Sequence, residues 1–176
     1  IATVATGANS VIFGNSIQTG TNGNASITKT GAGGTVFAEQ EVTLTRGKTY
    51  TLSAKLKTDS ISAGNAMGAL VAVRYTDGHG WKYAYGRYVS GTKDWARVEV
   101  TFTLESPALS PQVVACVGIE GESGTAWFDE LQLEEGEMAN RFNLLENSDF
   151  TQGLTRWSTT GLVAGDGIVQ SPDPAH

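Results

Sequence analysis

Forty per cent of the 176 residues are hydrophobic, enough to build the core of one domain, or of one domain and part of another, and too many for wholesale disorder. Twelve Lys+Arg against eighteen Asp+Glu leave a net charge of −6, which argues against a nucleic-acid binder, because a phosphate backbone demands a cationic stripe. No apolar run approaches the ~18 residues of a membrane span and no charged-then-apolar leader opens the chain, so membrane insertion is not expected and the chain is expected to begin in mid-protein or after processing.

Twenty-two glycines among only four prolines, with many threonines and valines, are the composition of short strands joined by tight turns. Period-two alternation recurs along the chain, and helical periodicity is almost absent. Early on, Gly31-Ala32-Gly33-Gly34 lacks the spacing of a dinucleotide fingerprint, and the alternating Glu39 and Glu41 read as solvated charge on an exposed strand. Tyr50, Leu52, Ala54 and Leu56 alternate with polar residues. The segments 68–76 and 112–119 are more continuously apolar, as in central strands covered on both faces. Asp77-Gly78-His79-Gly80 is a hairpin signal leading into a Trp81–Tyr85 strand. Val98, Val100, Phe102 and Leu104 alternate in turn. Gly47, Gly91, Pro107, Gly121 and Gly124 mark the remaining turns. Eight or nine such strands predict an all-β protein, an antiparallel two-sheet β-sandwich.

One strand breaks its own parity. In Ala126 to Leu133, Phe128 is even whereas Leu131 and Leu133 are odd, and a bulge near Asp129 and Glu130 would bring all three inside. The lone Cys116 sits in an apolar run with no cation beside it in sequence and reads as an inert core thiol.

The aromatic cluster is the strongest functional lead. Trp81, Tyr83 and Tyr85 share a strand face by parity, with Tyr75 expected across the hairpin. Sugars present C–H faces that stack on rings and hydroxyls that want planar polar partners. Arg74, Asp77, His79, Lys82 and Arg87 lie close in sequence. The predicted carbohydrate contacts are therefore Trp81, Tyr83, Tyr85, Arg74, Tyr75 and His79. The plainer reading makes half of these rings core, since strands favour aromatics anyway. Catalysis finds no support: His79 is the one internal imidazole, Asp77 its one local carboxylate, and no nucleophile-elbow string is present.

The string from Gly124 to Glu137, followed by Asn143-Leu-Leu-Glu-Asn-Ser-Asp-Phe150 and Trp157, resembles the closing strand of one carbohydrate-binding-module-like domain and the opening strand of the next. Gly47-Lys-Thr-Tyr-Thr-Leu-Ser-Ala54 and Trp95 to Thr103 resemble further strands of the same pattern, in modules of the family 4/9/22 or 16 type. Trp95 and Trp157 match strand-border positions of that pattern and are expected to pack. The resemblance implies a galactose-binding-like jelly roll, repeated in large exported bacterial proteins such as YD-repeat, wall-associated proteins and polysaccharide hydrolases. It implies an extracellular or cell-surface location, a poly- or oligosaccharide partner on a concave sheet face, no catalysis, and a structural calcium with Asp129 as ligand. A second acidic position of the pattern is Thr151 here. The alternative is a structural spacer repeat with no sugar site.

In that frame residues 1–137 form a sandwich lacking its opening strand, 138–142 a linker, and 143–176 the opening strand of the next repeat. Leu144, Leu145 and Phe150 have the apolarity to fill the empty position. Residues 143–157 are therefore expected to occupy it, in their own chain or by strand exchange with a neighbouring copy.

Overall fold

The computed structural model describes residues 11–12, 15–16, 24–64, 66–105, 109–137 and 143–171. The strands are β1 (Val11–Ile12), β2 (Asn15–Ser16), β3 (Asn24–Lys29), β4 (Thr35–Val42), β5 (Thr49–Ile61), β6 (Gly68–Thr76), β7 (Trp81–Tyr85), β8 (Gly91–Thr103), β9 (Val113–Glu120), β10 (Gly124–Glu135), β11 (Ser158–Thr160) and β12 (Gly167–Ser171). Short β1 and β2 pair with each other, and the rest form two five-stranded sheets, β12-β3-β10-β5-β8 and β11-β4-β9-β6-β7. Every ladder is antiparallel. The protein is an all-β two-sheet sandwich, as the alternation predicts.

Residues that alternate in sequence meet between the sheets. Leu52, Ala54 and Leu56 of β5 and Phe128 of β10 share one buried cluster with Val71 and Val73 of β6 and Ala115 and Val117 of β9. The opposite parity of β6 and β9 is buried too: Leu70, Ala72, Val114 and Cys116 form a smaller cluster with Phe37 on the outer face. Double coverage is why these two strands are apolar throughout. At Gly118 a Cβ would lie 2.1 Å from the Val36 carbonyl oxygen and 2.3 Å from the Phe37 ring. Only glycine lets Phe37 lie across the central strand.

The parity break in β10 is a bulge. Pairing with β5 slips between Asp129 and Gln132, Glu130 adopts φ 46°, and Phe128, Leu131 and Leu133 are all buried. Lys55 Nζ lies 2.7 Å from Glu130 Oε1, and Arg97 donates to the Glu130 carbonyl oxygen at 3.2 Å. These contacts hold the extra residue in place from β5 and β8.

The C-terminal segment corrects one expectation. Residues 143–157 form no strand but a series of turns that plugs one end of the sandwich. Leu145, Phe150, Leu154 and Trp157 enter the main core, whereas Leu144 is 45% exposed. Asn143 stands in for a missing ladder partner at the bulge: its Nδ2 donates to the Leu131 carbonyl at 2.5 Å, and its Oδ1 accepts the Leu133 N–H at 3.0 Å. The Gln40 side-chain amide pairs both backbone groups of Glu146, each at 2.9 Å. A side-chain amide can satisfy a backbone pair where sheet geometry cannot.

The ladders come later in the chain. β11 pairs with β4 and β12 with β3, so the segment supplies an edge strand to each sheet of its own chain. At Gly161 (φ +76°) a Cβ would lie 1.5 Å from the Thr35 carbonyl oxygen, so the turn after β11 requires glycine. Asp166 is buried, accepting the Thr30 N–H at 2.8 Å and the Val163 N–H at 3.2 Å, and ties the approach to β12 onto β3. The predicted linker, 138–142, falls outside the described residues.

Candidate functional site

The outer face of the β11-β4-β9-β6-β7 sheet gathers most of the predicted site. Across the β6–β7 hairpin Ala72 pairs with Tyr85, Arg74 with Tyr83 and Thr76 with Trp81. The three rings therefore share the face of Ala72 and Arg74 rather than that of the core. They are exposed, at 41% for Trp81, 48% for Tyr83 and 45% for Tyr85. The Tyr83 and Tyr85 rings are parallel within 5° at 5.6 Å between centroids. Alternate residues of one strand project to the same side, which is what aligns them.

Below this edge row runs a polar bridge. Arg74 Nη2 donates to Glu39 Oε2 at 2.8 Å, and the guanidinium carbon sits 4.6 Å from the Trp81 ring centroid. Such stacking favours a cation over an aromatic face. Glu39 arrives from β4 through the register Glu39–Cys116–Ala72. It is only 6% exposed, so it is not the solvated strand charge its alternation with Glu41 suggests. Burial raises its pKa, and the Arg74 charge and hydrogen bond offset part of that rise. The Cys116 thiol lies 3.9 Å from Glu39 Oε1. Burial first, and then the Glu39 charge, push its pKa up, so it stays protonated and unreactive.

Tyr88 extends the aromatic face. Its ring lies 6.3 Å from Tyr85 and packs on the Phe37 and Leu70 cluster, while its hydroxyl donates to Glu120 Oε2 at 2.7 Å. Burial raises the Tyr85 phenol pKa, with Glu120 adding to the effect. Both phenols therefore stay neutral donors around neutral pH.

Tyr75 is not part of this face. It pairs with Lys82, packs against the main core and stacks on Phe102 at 6.2 Å. A four-residue connection places Arg74, not Tyr75, opposite Tyr83. His79 is exposed in the hairpin turn, where its backbone N–H donates to Asp77 Oδ1 at 2.8 Å. That bond, and then Lys82 at 3.1 Å, hold the Asp77 carboxyl below its usual range. The turn is thus a capped hairpin at the end of the aromatic row, with Lys82 on the opposite parity.

The family model described as "Carbohydrate binding domain" (CBM_4_9) matches residues 4–121, more than half of the chain. The chain belongs to this carbohydrate-binding domain family. Among curated proteins it is similar to the tRNA nuclease WapA of Bacillus subtilis (strain 168), 33% identical over 130 residues. The same identity and length hold for the tRNA3(Ser)-specific nuclease WapA of Bacillus spizizenii. In both cases 70% of this chain is covered but only 5% of the relative, so the chain spans about one-twentieth of their length. A solved chain described as "PbXyn10C CBM APO" superposes with a TM-score of 0.56 at 21% identity, over 86% of this chain and 91% of that one, and shares the sandwich fold. A second, described as "CBM4 structure and function", aligns at 28% identity and a TM-score of 0.47 over 65% of this chain and 72% of that one.

Asp129, the calcium ligand that the resemblance implies, lies at the β10 bulge. That side chain caps the bulge, with Oδ1 accepting the Glu130 N–H at 2.6 Å. Lys55 is its register partner, and Arg97 stands 3.6 Å from the next carboxylate, Glu130. Both cations beside the bulge pair with the Glu130 carboxylate. Among the described residues no three His, Cys, Asp or Glu side chains gather as a metal group.

Trp157 packs as predicted, 4.9 Å from Phe150, with Nε1–H donating to the Asn147 carbonyl at 3.1 Å. Trp95 is half-buried on β8. Sequence reasoning missed Glu39, Tyr88 and Glu120. Only Tyr88 had a local signal, as an aromatic three residues past Tyr85.

Proposed function

We propose that this carbohydrate-binding domain is a non-catalytic module of a larger exported bacterial protein, acting outside the cell or at its surface. It binds poly- or oligosaccharide by stacking on the outer face of the β11-β4-β9-β6-β7 sheet. The observation that carries the reading is the parallel, half-exposed Tyr83–Tyr85 pair beside Trp81, held over the Arg74–Glu39 bridge. A sugar laid on this row places C–H faces on rings, while Arg74 and the tyrosine hydroxyls meet its hydroxyls. Membership of a carbohydrate-binding family and the likeness to large Bacillus proteins support it. A spacer repeat would gain by burying these rings, since exposed aromatic rows carry no benefit to folding alone.

The test is affinity electrophoresis and calorimetry against plant and bacterial polysaccharides, with the intact chain beside Tyr83→Ala, Tyr85→Ala and the double variant. Each single change is expected to weaken binding about tenfold, roughly 1.4 kcal/mol, and the double change to abolish measurable binding. All three variants should melt as the parent does, because both rings are exposed. A polysaccharide bound equally well by the parent and the double variant would refute stacking on this face.

A further inference from the structure

We propose that the domain carries a second sugar site, on the sheet that faces away from the tyrosine row. The proposal rests on the sugar-binding reading for its ligand class but shares no residue with the first site. A depression of about 450 Å³ lies on the β12-β3-β10-β5-β8 sheet, with β5 (Lys57, Asp59) as floor, Trp127 of β10 as one wall and Thr92, Lys93 and Asp94 of β8 as the other.

Its origin is a second irregularity of the sandwich. The β5–β8 ladder slips between Leu56 and Thr58 and again between Thr58 and Ile61. A slipped ladder bends its strand and re-aims the side chains, while Gly91 and Lys93 at the start of β8 stay paired with Ile61 and Thr58 of β5. Across the floor, Ala126 and Phe128 point into the core, so Trp127 must point out, in register with Lys57.

The walls are fixed before any ligand arrives. Asp59 Oδ1 accepts the hydroxyls of Ser60 at 2.9 Å and Thr92 at 3.1 Å. The Lys93 N–H donates to Thr58 Oγ1 at 3.1 Å, and Asp94 Oδ1 accepts the Trp95 N–H at 2.8 Å. A preorganised wall loses little side-chain entropy on binding.

The lining selects the ligand class. Two lysines are matched by two aspartates, so the depression offers cationic donors and anionic acceptors in equal number. A strongly anionic polymer meets two like charges there. A neutral sugar fits: each hydroxyl both donates and accepts, and a pyranose face lies on an indole. As an open depression rather than an enclosed pocket, it lets one or two sugar rings lie across the indole. With sites on opposite faces, one domain would hold two glycan chains, and the gain in avidity would be for a meshwork rather than for one soluble oligomer.

The test is NMR of the ¹⁵N-labelled intact chain, following the tryptophan indole N–H signals and the backbone. It is titrated separately with hexasaccharides of β-1,4-linked glucose, xylose, mannose and N-acetylglucosamine. Saturable shifts are expected at Trp127 and at residues 57–59 and 92–94, with a saturation curve separate from that of residues 81–88. These shifts should survive Tyr83→Ala/Tyr85→Ala. Trp127→Ala should weaken this site about tenfold and leave the 81–88 response in place. Shifts confined to residues 81–88 would overturn the second site alone. Shifts confined to Trp127 and its neighbours would uphold it and overturn the stacking site. An absence of shifts with every sugar would overturn both.

Discussion

Replacing Phe150 or Trp157 by alanine is expected to cost about 3–5 kcal/mol each, and a chain ending at Glu137 is expected not to fold cooperatively. The two rings touch inside the main core, 4.9 Å apart, and Leu145, Leu154 and Ile168 join them there. Burial of five such side chains contributes about 1.5–3 kcal/mol apiece, a sum comparable with the ~5–15 kcal/mol that holds a whole domain together. Removing the segment also strips β11 from β4 and β12 from β3, leaving two bare edges that invite association. Thermal melts followed by circular dichroism check the point variants, each expected to lower Tm by roughly 6–20 °C. The double variant should fall short of additivity because the rings are in contact. Size-exclusion chromatography checks the truncation, which should aggregate. A truncated chain that stays monomeric and melts cooperatively near the parent Tm would mean that residues 143–171 are dispensable to the sandwich.

Arg74→Ala is expected to destabilise the protein by about 3 kcal/mol near neutral pH, and by clearly less near pH 5. The change leaves the buried Glu39 carboxylate without its cation. The arginine side chain is 26% exposed, which keeps the cost at the low end for broken buried pairs. The sign of the pH effect follows from the direction of the Glu39 shift. Burial already raises this pKa above the ordinary carboxyl value, and Arg74 is what restrains it. Without Arg74 the native state holds its proton to higher pH than the unfolded chain does. The group's contribution is then fully present below the unfolded pKa and is lost as pH rises through the native one. Urea denaturation at the two pH values measures this directly, and adding Glu39→Gln should recover part of the loss. An equal penalty at both pH values would show that the pair acts through packing alone. Sugar affinity should fall as well, because Trp81 loses the guanidinium it rests on.

Much of the fold was legible because strand parity is a local property. Tyr50, Leu52, Ala54 and Leu56 alternate on paper and lie together in the core. The parity break after Phe128 located the bulge to within two residues. The same rule placed Trp81, Tyr83 and Tyr85 on one face. Tyr75 was misplaced, although the signal was present: with Thr76 opposite Trp81 at the hairpin ends, Tyr75 must face Lys82. Glu39 was not legible. Its environment is made by Cys116, 77 residues later, and by Arg74 on a third strand, and nothing near Glu39 distinguishes it from the exposed Glu41.

Sequence by itself determined which residues alternate, where turns fall, and that the product is a two-sheet sandwich, because these follow from φ/ψ preferences and side-chain period within a few residues; its carbohydrate-binding type is carried by family resemblance. Tertiary structure alone decided which strands became neighbours. That choice set the burial of Glu39 under Arg74, the plugging of the core by turns 143–157, and the use of β11 and β12 as edges. The cost of closing a loop grows only slowly with its length, so partners far apart in the chain compete on nearly equal terms, and the winner is chosen by the apolar surface and hydrogen bonds that the assembled sandwich satisfies together.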